Sequence, residues 1–350
     1  MPSPSAASPV PDLDATIAPV MADAVASLDG GAPLLAGMVR YHLGEAGADL
    51  QPLPEGSVNR GKRIRPAVAL LAAGAAGGDP LAAAPAAAAI ELLHNFTLIH
   101  DDVQDESPTR RHRDTVWNLW GIGQAINAGD ALFAAAHLPL YRIAGRDPAL
   151  AVRLVEAFDR MTIGIVTGQT LDLGFEGRDD VSPADYLAMI EGKTALIVRY
   201  AAWAGAVLGG ADGGRADQFG EFGLALGLGF QLQDDALGIW GAEADTGKAP
   251  ADDIRRRKQS LPILLLRQRL GPGERAELDR LYAEPEIGPE GIARVLALLA
   301  ACDVQAAIAA EVAREHDRAR DLLLAAAAPG PNPCRDALLA LVERLALRIA

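Results

Sequence analysis

Five aspartates in two places carry the chemistry this sequence could perform. The segment His94–Arg111 reads HNFTLIHDDVQDESPTRR. Leu92, Leu93, Phe96 and Ile99 make it an apolar helix that ends in Asp101, Asp102 and Asp105. Asp101 and Asp105 are four apart, so their carboxylates share a helix face, roughly 5–6 Å apart at Cβ. The C-terminal end of a helix is already negative, and acids gathered there call for cations. A hard divalent ion would supply the charge, and Mg²⁺ favours carboxylate oxygen combined with substrate phosphate. Read alone, the segment also fits an exposed acidic helix end paired with Arg110 and Arg111. The pattern recurs in Phe222–Leu232 (FGLALGLGFQL), whose glycines permit close approach of a neighbouring helix and which leads into Gln233, Asp234 and Asp235. Gln231 shares a face with both aspartates. Stray acids explain one such arrangement more easily than two.

Cations stand in matching places. Lys62, Arg63 and Arg65 lie in NRGKRIRP, ahead of a helix opened by Pro66, and Arg110 and Arg111 follow the first acidic cluster. Lys193 and Thr194 interrupt a helix in EGKTALIV; Lys248 lies in TGK, and Arg255, Arg256, Arg257 and Lys258 follow it. Arginine forks suit bidentate phosphate contacts, and lysines act as point charges. The run at 255–258 fits a solvated face as well as a site. Lys193 is harder to set aside, because its helix is otherwise apolar from Ala195 to Val198. Together these residues suit two anions, one held through metal and one held directly.

The elements that must position them are helical. The chain has 350 residues, 50% hydrophobic, 22% charged and 5% aromatic, with alanine throughout. Alanine is the best helix former, and β-branched residues are sparse, so an all-α fold is expected. Helices are predicted over Pro66–Gly77, Pro80–Asp101, Gly123–Gly145, Pro148–Leu173, Pro183–Leu208 and Asp217–Ile239, with amphipathic helices from Gly273 onward and no strand. Residues 1–12 read as a disordered tail and 13–350 as one bundle. A net charge of −14 repels nucleic acid and anionic membrane. The two cysteines, Cys302 and Cys334, form no disulfide framework and suit a reduced, cytoplasmic setting. The first basic residue is Arg40, so no secretory signal is read, and Pro66–Gly78 is too short to span a bilayer. No stable membrane anchor is expected.

With these motifs in place, the sequence resembles the trans-isoprenyl diphosphate synthases of the polyprenyl synthetase family. The likeness runs from about Gly61 to Pro262 and rests on GKRIRP, DDVQDESPTRR, GQTLDL, EGKT and FQLQDD…TGK in the family's order. It implies a helical fold around a deep apolar cavity, a homodimer and three Mg²⁺ ions. By the resemblance, Asp101, Asp105 and Asp234 are the metal ligands, in preference to Asp102 and Asp235. Arg110, Lys193, Thr194, Gln231 and Lys248 would contact an allylic diphosphate. Lys62, Arg65, His94 and Arg111 would grip isopentenyl diphosphate, and Gln169 and Asp172 would line the metal region. The implied reaction is ionisation, condensation and elimination to a short all-trans prenyl diphosphate.

Two positions depart from the family pattern. The second motif reads DDALG where DDxxD is usual, with Gly238 in place of the last aspartate, and His112 follows the arginine pair where glycine is commoner. A surface histidine is expected there. Phe96 lies five residues before Asp101, about 7.5 Å back along a helix at about 1.5 Å per residue. With the small Thr97 beside it, this resembles geranylgeranyl-forming members, with a fifteen-carbon farnesyl product as the alternative. A class I terpene cyclase shares the fold, but Lys62, Arg65 and Arg111 favour a transferase. A non-catalytic subunit would be expected to lose metal ligands.

Overall fold

The computed structural model describes residues 10–346 apart from 55–56, 58–60, 176–177, 179, 242–249 and 285. The described residues are overwhelmingly helical and divide into two compact units. Unit 1 takes Met1–Asp159, Ala201–Ala216 and Ala327–Arg335; unit 2 takes Arg160–Tyr200, Asp217–Ala326 and Asp336–Ala350.

Unit 1 is built from α1 (Leu13–Val25), α2 (Pro33–His42), α3 (Ile64–Ala75), α4 (Ala84–Gln104), α5 (Val116–Trp120), α6 (Ile122–Tyr141) and the start of α7 (Pro148–Phe175). Asp12 caps α1 by accepting from Ala15 N–H at 3.0 Å. The centre of the unit is α4, whose Ala86–Ala89, Ile90, Leu92 and Leu93 are wholly buried. Alanine favours the helix and keeps its neighbours close. By length and composition Pro80–Gln104 could cross a membrane, yet 67% of its apolar window is buried inside the protein. Further along the chain, Gly205 and Gly209 lie against the backbone of Ala69 and Ala73 on α3. A Cβ at either position would overlap a carbonyl oxygen.

Unit 2 contains the rest of α7, then α8 (Pro183–Ile190), the start of α9 (Leu196–Leu208) and most of α10 (Gly213–Trp240). Shorter helices follow at Asp252–Arg255, Leu261–Arg269, Pro272–Ala283 and Pro289–Ala301, then the long Val304–Ala326. Its core gathers Leu232, Ile254, Ile263, Leu266, Val295 and Ile308, all about fully buried. The glycines of α10 serve the expected close approach. A Cβ at Gly227 would lie 2.7 Å from Ala195 Cα, and one at Gly223 would lie 2.9 Å from Arg199 Cα.

Three expectations change. First, α3 begins at Ile64, because the opening N–H groups of a helix need no partner and so tolerate Pro66 within the first turn. Second, Pro183–Leu208 is not one regular helix: Glu191–Ala195 forms a π turn, with Leu196 N–H reaching back to Glu191 O. Third, a two-residue hairpin is present, Thr109–Arg110 (β1) paired antiparallel with Arg113–Asp114 (β2). Arg111 and His112 join the strands with φ of 51° and 64°, the left-handed pair that a tight hairpin turn requires.

Candidate active site

Each unit carries one acidic cluster. In unit 1, α4 ends as its sequence implies, with Asp105 as the C-cap and its N–H bonded to Asp101 O at 2.8 Å. The three aspartates differ in surroundings. Asp105 is exposed and Asp101 half-buried, whereas Asp102 is 1% exposed and accepts from Arg110 Nε at 2.7 Å. Burial pushes the Asp102 carboxyl up, against the pull of Arg110. The helix therefore turns Asp102 into the protein and leaves the Asp101–Asp105 face for other partners.

The hairpin sets the arginines. Thr115 Oγ1 and Trp117 Nε1 donate to Ser107 O at 2.9 and 2.8 Å and hold its base. Arg113 donates to Tyr41 O and Ala46 O at 3.0 and 2.9 Å, with its guanidinium 4.0 Å from the Tyr41 ring centroid. The positive φ of His112 gives a physical reason for glycine's preference at that position. Its side chain is exposed, as expected. The Arg111 guanidinium lies against Gly61, where a Cβ would sit 2.8 Å from Nη2 and where φ is +80°. Gly61 thus serves both the turn and the approach of Arg111.

Among the cations of GKRIRP, Lys62 is exposed, while Arg63 turns inward to pair with Asp14 and to lie 3.7 Å from Glu91. Arg65 Nη1 meets His94 Nε2 at 3.2 Å. Burial, followed by Arg65 and Arg111, holds the His94 imidazole well below its usual range. It is neutral at pH 7 and adds no charge to an already cationic corner. His42, on α2, is pushed down to about 3 by burial and then by Arg110, Arg111 and Arg113. His42, Tyr41 and Arg113 line the same pocket as Asp102, Arg110 and Arg111. No separate signal in the sequence marked these three, although Arg113 lies in the same basic run as Arg110 and Arg111.

Phe96 packs edge-on to His100 at 4.8 Å between centroids and against Phe133 at 5.4 Å. The row continues through His137 to Phe158 at 5.0 and 5.1 Å. Thr97 Oγ1 donates to His94 O at 2.8 Å.

In unit 2 the same sorting of acids recurs. Asp234 is exposed, whereas Asp235 is 5% exposed and accepts from Tyr186 Oη at 2.6 Å and Gln231 Nε2 at 3.2 Å. Burial pushes the Asp235 carboxyl up to about 7, opposed by those two hydrogen bonds. Thr194 Oγ1 donates to Gln231 Oε1 at 3.0 Å, and Lys193 Nζ pairs with Asp172 on α7. The π turn makes this possible: its extra residue resets the direction of Lys193 and Thr194. It packs on Gly168, where a Cβ would overlap Lys193 N, and on Gly164 through Gly192. Gln169 follows Gly168 on the same helix. Lys248 lies outside the described residues.

Lys258 is a cation whose site role the sequence left open. Its ammonium is 3.6 Å from Asp253 Oδ1. Burial acts to lower it, but Asp253, Asp235 and Asp172 together outweigh burial and hold it above its usual value. Lys258, Arg256 and Arg257 are all exposed; Arg256 pairs with Asp252 at 3.9 Å and Arg257 donates to Glu284 O at 2.7 Å.

Among the described residues no three His, Cys, Asp or Glu side chains converge as a ready metal cage. The donors of each cluster nonetheless fit Mg²⁺. Unit 1 offers hard carboxylate oxygens on Asp101 and Asp105 and unit 2 offers those of Asp234, and this ion keeps several waters and takes substrate phosphates rather than filling its shell from protein.

Residues 50–299 match the family model described as polyprenyl synthetase. The chain is 43% identical to a (2E,6E)-farnesyl diphosphate synthase of Mycobacterium tuberculosis over 231 residues, 66% of this chain and 63% of the relative. It is equally 43% identical to a geranylgeranyl diphosphate synthase of the same organism over 230 residues, 66% of this chain and 64% of that relative. The match thus spans just under two thirds of each curated relative's length. A crystal structure of polyprenyl synthetase from Streptomyces coelicolor A3(2) superposes with a TM-score of 0.84 at 36% identity, covering 95% of this chain and 97% of that one.

Proposed function

This chain belongs to the polyprenyl synthetase family, and from that premise we propose that it is a Mg²⁺-dependent prenyltransferase, joining isopentenyl diphosphate to an allylic diphosphate. The observation that carries the reading is the sorting of acids in both motifs. Asp102 and Asp235 are bound to protein groups, while Asp105 and Asp234 are exposed.

Three Mg²⁺ ions held by Asp101, Asp105 and Asp234 would neutralise charge growing on a departing diphosphate. Arg110, Lys193, Thr194, Gln231 and Lys248 would bind that diphosphate, joined by Lys258. Lys62, Arg65, His94 and Arg111 would hold isopentenyl diphosphate; with His94 neutral, Arg65 carries the charge. The allylic C1–O bond breaks, the double bond of isopentenyl diphosphate attacks C1, and the released diphosphate takes the proton then lost. Apolar walls would exclude water from the cation, and the chain's role is to position and to supply charge.

Relatives of equal identity carry a farnesyl and a geranylgeranyl name. Phe96 with Thr97 favours geranylgeranyl diphosphate. Exposed Ile122, Ile126 and Tyr141 along α6, at 54%, 43% and 55%, support a homodimer. We place the protein in the cytoplasm, as one prenyl synthase domain over 13–350.

Incubation with labelled isopentenyl diphosphate, Mg²⁺ and each allylic starter, followed by product sizing, tests the reading. A twenty-carbon prenyl diphosphate is expected. Hydrocarbon or alcohol formed from the allylic diphosphate alone would mark a cyclase, and the absence of any product would mark a non-catalytic subunit.

A further inference from the structure

Four side chains of unit 2 form one hydrogen-bonded line beside the second acidic motif. Thr194 Oγ1 donates to Gln231 Oε1 at 3.0 Å, and Gln231 Nε2 donates to Asp235 Oδ1 at 3.2 Å. Tyr186 Oη closes the line by donating to Asp235 Oδ2 at 2.6 Å. Tyr186 and Asp235 are each 5% exposed and Thr194 is 8% exposed, whereas Gln231 is half-buried and is where the line meets its surroundings. Tyr186 lies in the first turn of α8, which a capping box makes firm. There Ser182 N–H meets Asp185 Oδ2 at 3.0 Å and Asp185 N–H meets Ser182 Oγ at 3.2 Å. The line has a direction, because a carboxylate only accepts. Asp235 Oδ1 takes the amino end of the Gln231 amide, so the carbonyl end faces Thr194. The second Nε2 hydrogen of Gln231 is then left for a phosphate oxygen.

We propose that Tyr186 is a positioning residue for the allylic diphosphate: acting through Asp235, its hydroxyl fixes the Gln231 amide with one N–H turned to the departing diphosphate. The tyrosine touches no substrate. Its effect passes along the line, since a buried carboxylate deprived of a donor has to turn to find another, and Gln231 loses its fixed orientation with it. The inference rests on the prenyltransferase reading, which makes Gln231 a diphosphate contact.

The test is steady-state kinetics with each substrate varied in turn, on wild type, Tyr186→Phe, Gln231→Leu and the double variant. Tyr186→Phe removes one oxygen and keeps the ring. It should raise the KM for the allylic diphosphate roughly 10-fold, the low end of what loss of a supporting partner costs. The KM for isopentenyl diphosphate should stay within about 2-fold, as for an independent site. In the Gln231→Leu background, Tyr186→Phe should add less than about 2-fold, because the one acts through the other. Asp235→Asn keeps the side-chain volume but turns an N–H toward Gln231, so it should reverse the amide and give the same selective loss; it carries the test where Tyr186→Phe fails to fold. An unchanged allylic KM in a folded Tyr186→Phe or Asp235→Asn would overturn the proposal. So would an equal rise in both KM values, or a full additional loss in the double variant, either of which marks a tyrosine that only supports the fold. A wild type that forms no prenyl product from the two substrates would instead remove the prenyltransferase reading and this inference with it.

Discussion

Neighbouring aspartates in each motif have opposite surroundings, and single substitutions should separate their roles. Asp234→Ala removes an exposed carboxylate. Stability should stay within about 0.5 kcal/mol while turnover falls by roughly 10²-fold or more. Asp235→Ala strands the Tyr186 hydroxyl and the Gln231 amide. Each buried group so orphaned costs about 1–3 kcal/mol, so this variant should show a clear drop in melting temperature. Paired melting and steady-state measurements on the two variants decide the assignment. The pH dependence has its own residue. His42 is held down to about 3, below its ordinary 6.5, by burial first and then Arg110, Arg111 and Arg113, with a hydrogen bond to Asn95 working the other way. A depressed folded-state value means the stabilisation is complete above the unfolded value and is lost as pH falls toward the folded one. Urea midpoints should drop between about pH 7.5 and about pH 5, and His42→Gln should flatten that drop. The acids and most cations were legible because they sit in dense motifs. His42, Tyr186 and Asp253 were not, because each meets its cluster across a long loop of chain; Tyr186 and Asp235 are 49 residues apart.

The helices themselves carry two further expectations. The π turn at Glu191–Ala195 seats on Gly168 by backbone contact, so Gly168→Ala must displace Lys193. A loss of about 1–3 kcal/mol is expected, as for an overpacked core, together with reduced activity. Gly174→Ala, on the same helix with open space around it, should be neutral or stabilising by up to about 1 kcal/mol. Chemical denaturation of the pair reads the difference. On α4, Phe96 stands in the aromatic row with Phe133 and His137. Phe96→Ala should lengthen the prenyl product, read by chromatography of the dephosphorylated chains; an unchanged product would return Phe96 to plain core packing. Helix identity was written in composition and periodicity. The interruption at Lys193 and Thr194 was visible as a polar break, but its form was not, because a π turn is selected by packing between backbones rather than by local propensity. The hairpin escaped because two-residue strands have no period to detect, and Arg111 and His112 are not the residues that usually announce such a turn.

At the scale of the whole chain, the all-helical class followed from alanine content and sparse β-branched residues, whereas the division into two compact units did not. Each unit draws on segments distant in sequence, such as Ala201–Ala216 and Ala327–Arg335 joining the first, and nothing local marks them. The exposed apolar positions on α6 are also a property of the assembled chain. If Ile122, Ile126 and Tyr141 lie at a dimer contact, Ile126→Glu should convert a dimer to monomer in sedimentation. An unchanged sedimentation coefficient would remove that face from the contact.

The glycine crossings have a consequence for how such a chain can diversify. At Gly168, Gly223 and Gly227, main chain rests on main chain, so no side-chain trimming can widen these joints and no larger residue can enter them. The aromatic contacts of α4 and α6, made by side chains alone, can by contrast be resized one residue at a time. Backbone joints and side-chain packing are thereby left to separate sets of residues, free to change at different speeds.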